Sequence, residues 1–146
     1  MEKKKKMRAD ELKFLPTEEE EQILLFSWAK LQASTYPELS LLYHIPNEGK
    51  RSVQAGARLK AAGLSSGVPD ICLPVARGGY NSLYIELKRQ KGGKLSENQK
   101  LWLEKLNKAG SLAVRCNGFE KAKAVILRYL KGERCGFSTI GEFQVS

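Results

Sequence analysis

An α/β fold, a mixed β-sheet flanked by helices, is predicted from three features of the sequence. Segments of helical period alternate with short β-rich runs in the order α-β-α-β-β-α-β-α. Two of the β runs, "DICLPV" and "SLYIELK", flank a short turn, "ARGGYN", and so form an antiparallel hairpin. The remaining β runs are separated by helices. The 146 residues fit one domain, and 42% apolar residues suffice for a real core.

The first helix opens at Pro16-Thr17. Thr17 and Glu20 form a T-x-x-E capping box, and "ILLFSWAKL" carries the helix to about Gln32. "LSLLYHI", Leu39 to Ile45, reads as a buried strand, followed by the loop "PNEGKRS". "VQAGARLKAAG" is a short helix stopped by Gly63. The turn-rich "LSSGVP" leads into the hairpin, and the basic, glycine-rich loop "RQKGGK" leaves it. Ser96 caps a helix that ends at Gly110; "SLAVRC" is a strand and "FEKAKAVILRYLKG" a helix. Residues 1–15 are a basic tail, 16–132 the domain, and 133–146 an extension with a short edge strand at "STIGEFQV".

The excess of 25 Lys and Arg over 16 Asp and Glu, a net charge of +9, points to a polyanionic partner. Nucleic acid comes first and an anionic membrane second. The run Lys3 to Lys6 suits either a phosphate-contacting arm or a solvated terminus. Cys72, Cys116 and Cys135 are odd in number, widely spaced and without a CxxC pair, so buried thiols in a reducing compartment are expected rather than disulfides or zinc. No apolar stretch follows the basic N-terminus and none is long enough to span a bilayer, so a soluble cytoplasmic protein is expected. Nothing resembles a P-loop, so no nucleotide cofactor is implied.

The hairpin carries the chemistry. Centring its turn on Gly78 places Asp70 opposite Glu86, with Cβ atoms roughly 5 Å apart. A slip of one residue would put Asp70 opposite Leu87, and Pro74 inside the first strand allows a bulge that could cause it. Glu86 and Lys88 share a face because strands repeat every two residues. Leu87 points into the core while its carbonyl stays near the site. Two adjacent carboxylates repel unless a cation lies between them, and Mg²⁺, a hard ion that takes oxygen ligands, suits the pair. Lys88 beside them can orient water or steady negative charge on phosphorus. An E-x-K strand end alone usually means an exposed surface pair. Its coincidence with "GVPD", a basic loop and net +9 moves the reading to phosphodiester hydrolysis.

"GVPDI", "YIELK" and "GGKLSENQ" together resemble the VRR-NUC group of the PD-(D/E)xK nuclease superfamily, over about Thr17 to Leu130. The resemblance implies a restriction-endonuclease-like core and a Mg²⁺- or Mn²⁺-dependent endonuclease. It makes Asp70, Glu86 and the Leu87 carbonyl metal ligands, Lys88 the catalytic lysine, and Gln99 a glutamine near the active site. It also implies an acid on the first helix. At about 100° per residue the apolar arc of Ile23 to Leu31 centres near Leu24 and Trp28, which turns Glu21 inward; Glu20 lies at the edge and fits the cap. Glu21 is therefore the expected further metal ligand, with Glu20 second.

Arg58, Lys60, Arg89, Lys91 and Lys94 are expected to follow the DNA backbone as a cluster beside this site. Asn47 and Glu48 either border the site or form a plain turn. His44, in an apolar strand, reads as structural, and Trp28 and Trp102 as core. The small stand-alone members that this chain resembles are phage-type and look like homodimeric Holliday-junction resolvases, acting in the host cytoplasm. A two-fold dimer suits two symmetric cuts. The alternatives are a flap or single-strand nuclease, a nickase, a DNA-binding module without catalysis, and a structural subunit of a packaging or replication complex.

Overall fold

The computed structural model describes residues 14–46 and 52–133. The Lys3–Lys6 run, Asn47, Glu48, Cys135 and the expected edge strand in 133–146 fall outside the described residues. Thr17 caps helix α1 (Glu18–Gln32) through the expected capping box: its hydroxyl accepts from the Glu20 N–H, and its own N–H donates to the Glu20 carboxylate at 2.6 Å. Next come a 3₁₀ helix (Pro37–Leu41), strand β1 (Tyr43–His44), helix α2 (Val53–Ala61), strands β2 (Ile71–Leu73) and β3 (Leu83–Lys88), helix α3 (Glu97–Lys108), strand β4 (Leu112–Asn117) and helix α4 (Phe119–Leu130).

One element departs from expectation. Leu39 to Ile45 is not one buried strand: its first half coils into the 3₁₀ helix, and only Tyr43–His44 pairs. Pro37 sets the helical φ at the first turn, and the Ser40 hydroxyl donates to the Pro37 carbonyl. Leu39 and Leu42, three apart, supply the buried contacts.

The sheet runs β1-β2-β3-β4, antiparallel except for the parallel pair β3-β4. Ile71 pairs with Ile85 and Leu73 with Leu83. Continuing this register places Asp70 opposite Glu86, so the slip that Pro74 allowed does not occur. At the tip Gly78 and Gly79 both adopt positive φ (58° and 89°) and Arg77 bridges Tyr80. That tip is centred half a residue beyond the strand register. The mismatch is taken up after β2, where the Val75 N–H turns back to the Leu73 carbonyl.

Alternation in β3 divides the two faces of the sheet. Leu83, Ile85 and Leu87 join Ile71, Leu73, Leu112, Val114 and Cys116 in a core closed by Leu25 and Ala29 of α1 and by Ala122, Val125, Ile126 and Tyr129 of α4. Trp28 packs on this core, edge to face with Phe119. Cys72 and Cys116 are buried free thiols, as their spacing suggested. The even residues, Glu86 and Lys88, project toward α3. Among the described residues no helix is long and apolar enough to cross a membrane.

Candidate active site

The turn before β2 brings Asp70 to the sheet. Gly67, at φ 90°, lies so close to α3 that a Cβ there would meet the Asn98 backbone at 2.6 Å. Only glycine lets the "GVPD" stretch pass this point. One Asp70 carboxylate oxygen accepts the Leu87 N–H at 3.0 Å, and its backbone carbonyl accepts the Ile45 N–H at 2.6 Å. The acid is thus held by both neighbouring strands. In an extended strand a residue's N–H and C=O point to the same edge, so the Leu87 carbonyl also faces Asp70. The next carbonyl, Lys88, points the other way and accepts the Gly118 N–H.

Glu86 is 1% exposed. Its Oε1 accepts the Gln99 side-chain amide at 2.9 Å and lies 3.3 Å from the Lys88 ammonium; its Oε2 is buried with no hydrogen-bond partner. A buried carboxylate oxygen without a donor is costly and calls for a cation or a proton. Burial first, and then the neighbouring Asp70 charge, push Glu86 up to about 8 against the pull of Lys88. Asp70 is also raised by burial, while the Leu87 N–H and Lys88 pull it back. The pair therefore resists double ionisation unless positive charge arrives between the two groups.

Gln99 serves two structures. Its backbone N–H and side-chain oxygen complete a capping box with Ser96, and its side-chain N–H₂ holds Glu86. The glycine-rich loop braces Lys88: a Cβ on Gly93 would lie 3.1 Å from the Lys88 Cβ, and Arg115 donates to the Gly93 carbonyl.

Asp70, Glu86, Lys88 and Gln99 line one cleft of about 700 Å³ with Lys60, His44, Pro46, the 64–67 turn, Glu18, Glu19 and Gln22. Five of the sequence-predicted residues, Asp70, Glu86, Lys88, Gln99 and Lys60, therefore line one cleft. Arg58, Lys91 and Lys94 are exposed and Arg89 is half-buried; none of these four lines the cleft.

Glu21 does turn inward, at 1% exposure, but it is not brought to the pair. Its oxygens accept the Gln90 amide at 2.8 Å and the Phe119 N–H at 2.6 Å, which caps α4 with a carboxylate. The buried stripe of α1 is Glu21, Leu25 and Ala29, whereas Ile23, Leu24 and Leu31 stay exposed. The first-helix acids on the cleft wall are Glu18 and Glu19, three and two residues earlier.

His44 is the residue that sequence reasoning passed over. It is exposed, lines the cleft, and its Nδ1 lies 2.9 Å from the Asp70 carbonyl. A carbonyl only accepts, so Nδ1 carries a proton and donates to it. Its place at a strand end before a Pro-Asn loop was the available signal.

A metal fits this donor set. Among the described residues no three His, Cys, Asp or Glu side chains form a ready cage. Two carboxylates and a carbonyl instead leave positions for water and phosphate oxygens, as Mg²⁺ prefers. The unpartnered Glu86 Oε2 is the atom that such an ion would satisfy.

The family model described as VRR-NUC domain matches residues 16–120. A solved structure titled "VRR_NUC domain protein" superposes with a TM-score of 0.72 at 29% identity, over 89% of this chain and 99% of that one. Among curated proteins none matches. The fold is accordingly restriction-endonuclease-like, and the domain is of a nuclease type that acts on DNA and is generally metal-dependent. The chain belongs to the VRR-NUC domain family.

Proposed function

We propose that this chain is a Mg²⁺- or Mn²⁺-dependent endonuclease that hydrolyses phosphodiester bonds in branched DNA. The observation that carries the reading is the buried Glu86 oxygen left without a donor beside Asp70, in a cleft that also holds a lysine. Asp70, Glu86 Oε2 and the Leu87 carbonyl would hold the ion. The ion supplies Lewis acidity: an acidified water and neutralised charge at phosphorus.

This chain's own residues do the rest. Lys88 holds an ammonium 3.3 Å from Glu86, where it orients the attacking water or donates to a phosphate oxygen. Gln99 fixes the Glu86 rotamer, and the Leu87 N–H fixes Asp70. Glu18 or Glu19 takes the place of the first-helix acid, while Glu21 holds the scaffold. Lys60 on the rim, with Arg58, Arg89, Lys91 and Lys94 outside it, draws in the DNA backbone.

The junction-resolving form of this reading has a homodimer delivering two symmetric cuts to a four-way junction. Flap cleavage is the competing form. The test is cleavage of a labelled four-way junction, with flap and linear duplex controls, in Mg²⁺, Mn²⁺ or EDTA. Asp70→Ala and Lys88→Ala run beside the wild type. Paired cuts on the junction, abolished by EDTA and by both variants, are expected. Cutting restricted to flaps removes the resolvase and keeps the site. A monomer by gel filtration, on and off DNA, removes the dimer.

A further inference from the structure

A second groove, of about 560 Å³, adjoins the cleft and shares Lys60, Leu64, Ser65 and Ser66 with it. Its other wall is one stripe of α3: Asn98, Leu101, Trp102 and Lys105, spaced three, four and seven residues apart. Trp102 was expected in the core, but it is half-buried and lies outside the core cluster that Trp28 joins. The core side of α3 is carried by Leu103.

We propose that this groove is a base-stacking subsite for an unpaired DNA segment next to the scissile phosphate. The proposal rests on the nuclease reading of the cleft and refines its substrate class. Three observations choose this occupant. The groove shares four lining residues with the cleft, so a strand seated at Asp70 and Glu86 can run on into it. Two exposed lysines line the groove, Lys60 from α2 and Lys105 from α3, and match the charge of a phosphate backbone. The groove is also lined by the Trp102 indole and the exposed Leu101, which suit the apolar face of any base, and by Ser65. The groove is also pre-shaped: Asn98 donates to the Ser66 hydroxyl, and Gly67 seats the 64–67 turn against α3.

The probe is an eight-residue oligothymidylate, titrated into the full chain in EDTA and followed by tryptophan fluorescence. Trp28 and Trp102 are both half-buried, so the quench is assigned to Trp102 by its loss in Trp102→Phe. Wild type is expected to quench. Trp102→Phe is expected to bind without that quench, and Trp102→Ala and Lys105→Glu to weaken binding about tenfold. With metal, Trp102→Ala raises KM for a flap carrying an unpaired arm several-fold more than KM for blunt duplex. Thermal melts confirm that the variants fold, and Trp102→Phe and Lys105→Glu keep the test alive if Trp102→Ala does not. Unchanged oligothymidylate affinity in Trp102→Ala or Lys105→Glu overturns the proposal, as does a Trp102 effect on oligomeric state alone. If wild type cuts DNA while Trp102 is indifferent, the groove reading falls and the nuclease stands. If nothing is cut while binding depends on Trp102, the nuclease reading falls, the placement beside a scissile phosphate falls with it, and the groove stands as a single-strand binding site alone.

Discussion

Glu21 and Glu86 are equally buried, at 1% exposure each, and their surroundings could hardly differ more. Glu21 ties α1 to α4 and to the segment after β3, with a donor on each oxygen. Glu86 has donors on one oxygen, none on the other, and a second carboxylate alongside. Burial of a charge is therefore no mark of function by itself. An acid whose lone pairs are met holds structure; an acid left short beside a like charge is kept for something that arrives.

The largest effect that separates the two is loss of cleavage. Glu86→Gln should lower kcat by about 10²–10⁴, the scale of losing a cation's charge stabilisation. Its melting temperature in EDTA should hold or rise, because the cost of burying an ionisable group beside Asp70 disappears. If Glu86→Gln instead melts well below wild type, Glu86 is a scaffold acid like Glu21, and the comparison breaks.

Glu21→Ala should do the reverse. It strips the acceptor from two donors, the Gln90 amide and the Phe119 N–H, and leaves a void where a buried side chain stood, a cost of about 2–4 kcal/mol, or about 10 °C in melting temperature. The folded fraction should keep kcat within about tenfold. Loss of all cleavage in protein that still melts cooperatively near the wild-type temperature would place Glu21 in the chemistry after all.

A pH series sharpens the contrast. Glu86 titrates near 8 in the metal-free fold, against 4.5 ordinarily. Between those values the folded chain holds a proton that the unfolded chain has released. Its contribution to stability is therefore full below pH 4.5 and lost as pH rises to about 8. Subtracting the Glu86→Gln melting curve from wild type in EDTA should show this fall, flattening above pH 8. With Mg²⁺ the sign reverses, since binding displaces the proton; apparent affinity should tighten by up to about tenfold per pH unit below 8. A flat difference curve would mean that the pair is not strained in solution.

The smallest effect tests the brace on Lys88. Gly93→Ala places a methyl 3.1 Å from the Lys88 Cβ. The lysine must yield by tenths of an ångström, so kcat should fall about threefold while melting moves by less than about 2 °C. Unchanged kcat would free the glycine-rich loop from any part in aiming Lys88.

Much of this site could be read from local rules. A glycine turn and a period of two placed Asp70 against Glu86, and the capping signals at Thr17 and Ser96 marked where α1 and α3 begin. What stayed hidden depended on tertiary neighbours. The apolar stripe of α1 is wider than the face the core accepts, so Ile23 and Leu24 drew the arc away from Leu25 and Ala29. Glu21 pointed inward all the same, but its partners, Gln90 and Phe119, are 69 and 98 residues away. Trp102 sits in an apolar pattern with two sides, and only packing shows which side is left open. His44 reads as structural from the sequence because Leu39 to Ile45 reads as one apolar strand; the 3₁₀ turn leaves it at an exposed edge.

Gln99 narrows what the chain can become. A capping box accepts either Glu or Gln at its third position, and across helices at large the two interchange freely. Here one side chain serves the helix with its oxygen and Glu86 with its nitrogen. Glutamate would preserve the helix start and set a third negative group against a carboxylate already short of donors. The helix-start rule tolerates the exchange while the cleft forbids it, so mutational drift at this position is governed by the chemistry rather than by the fold.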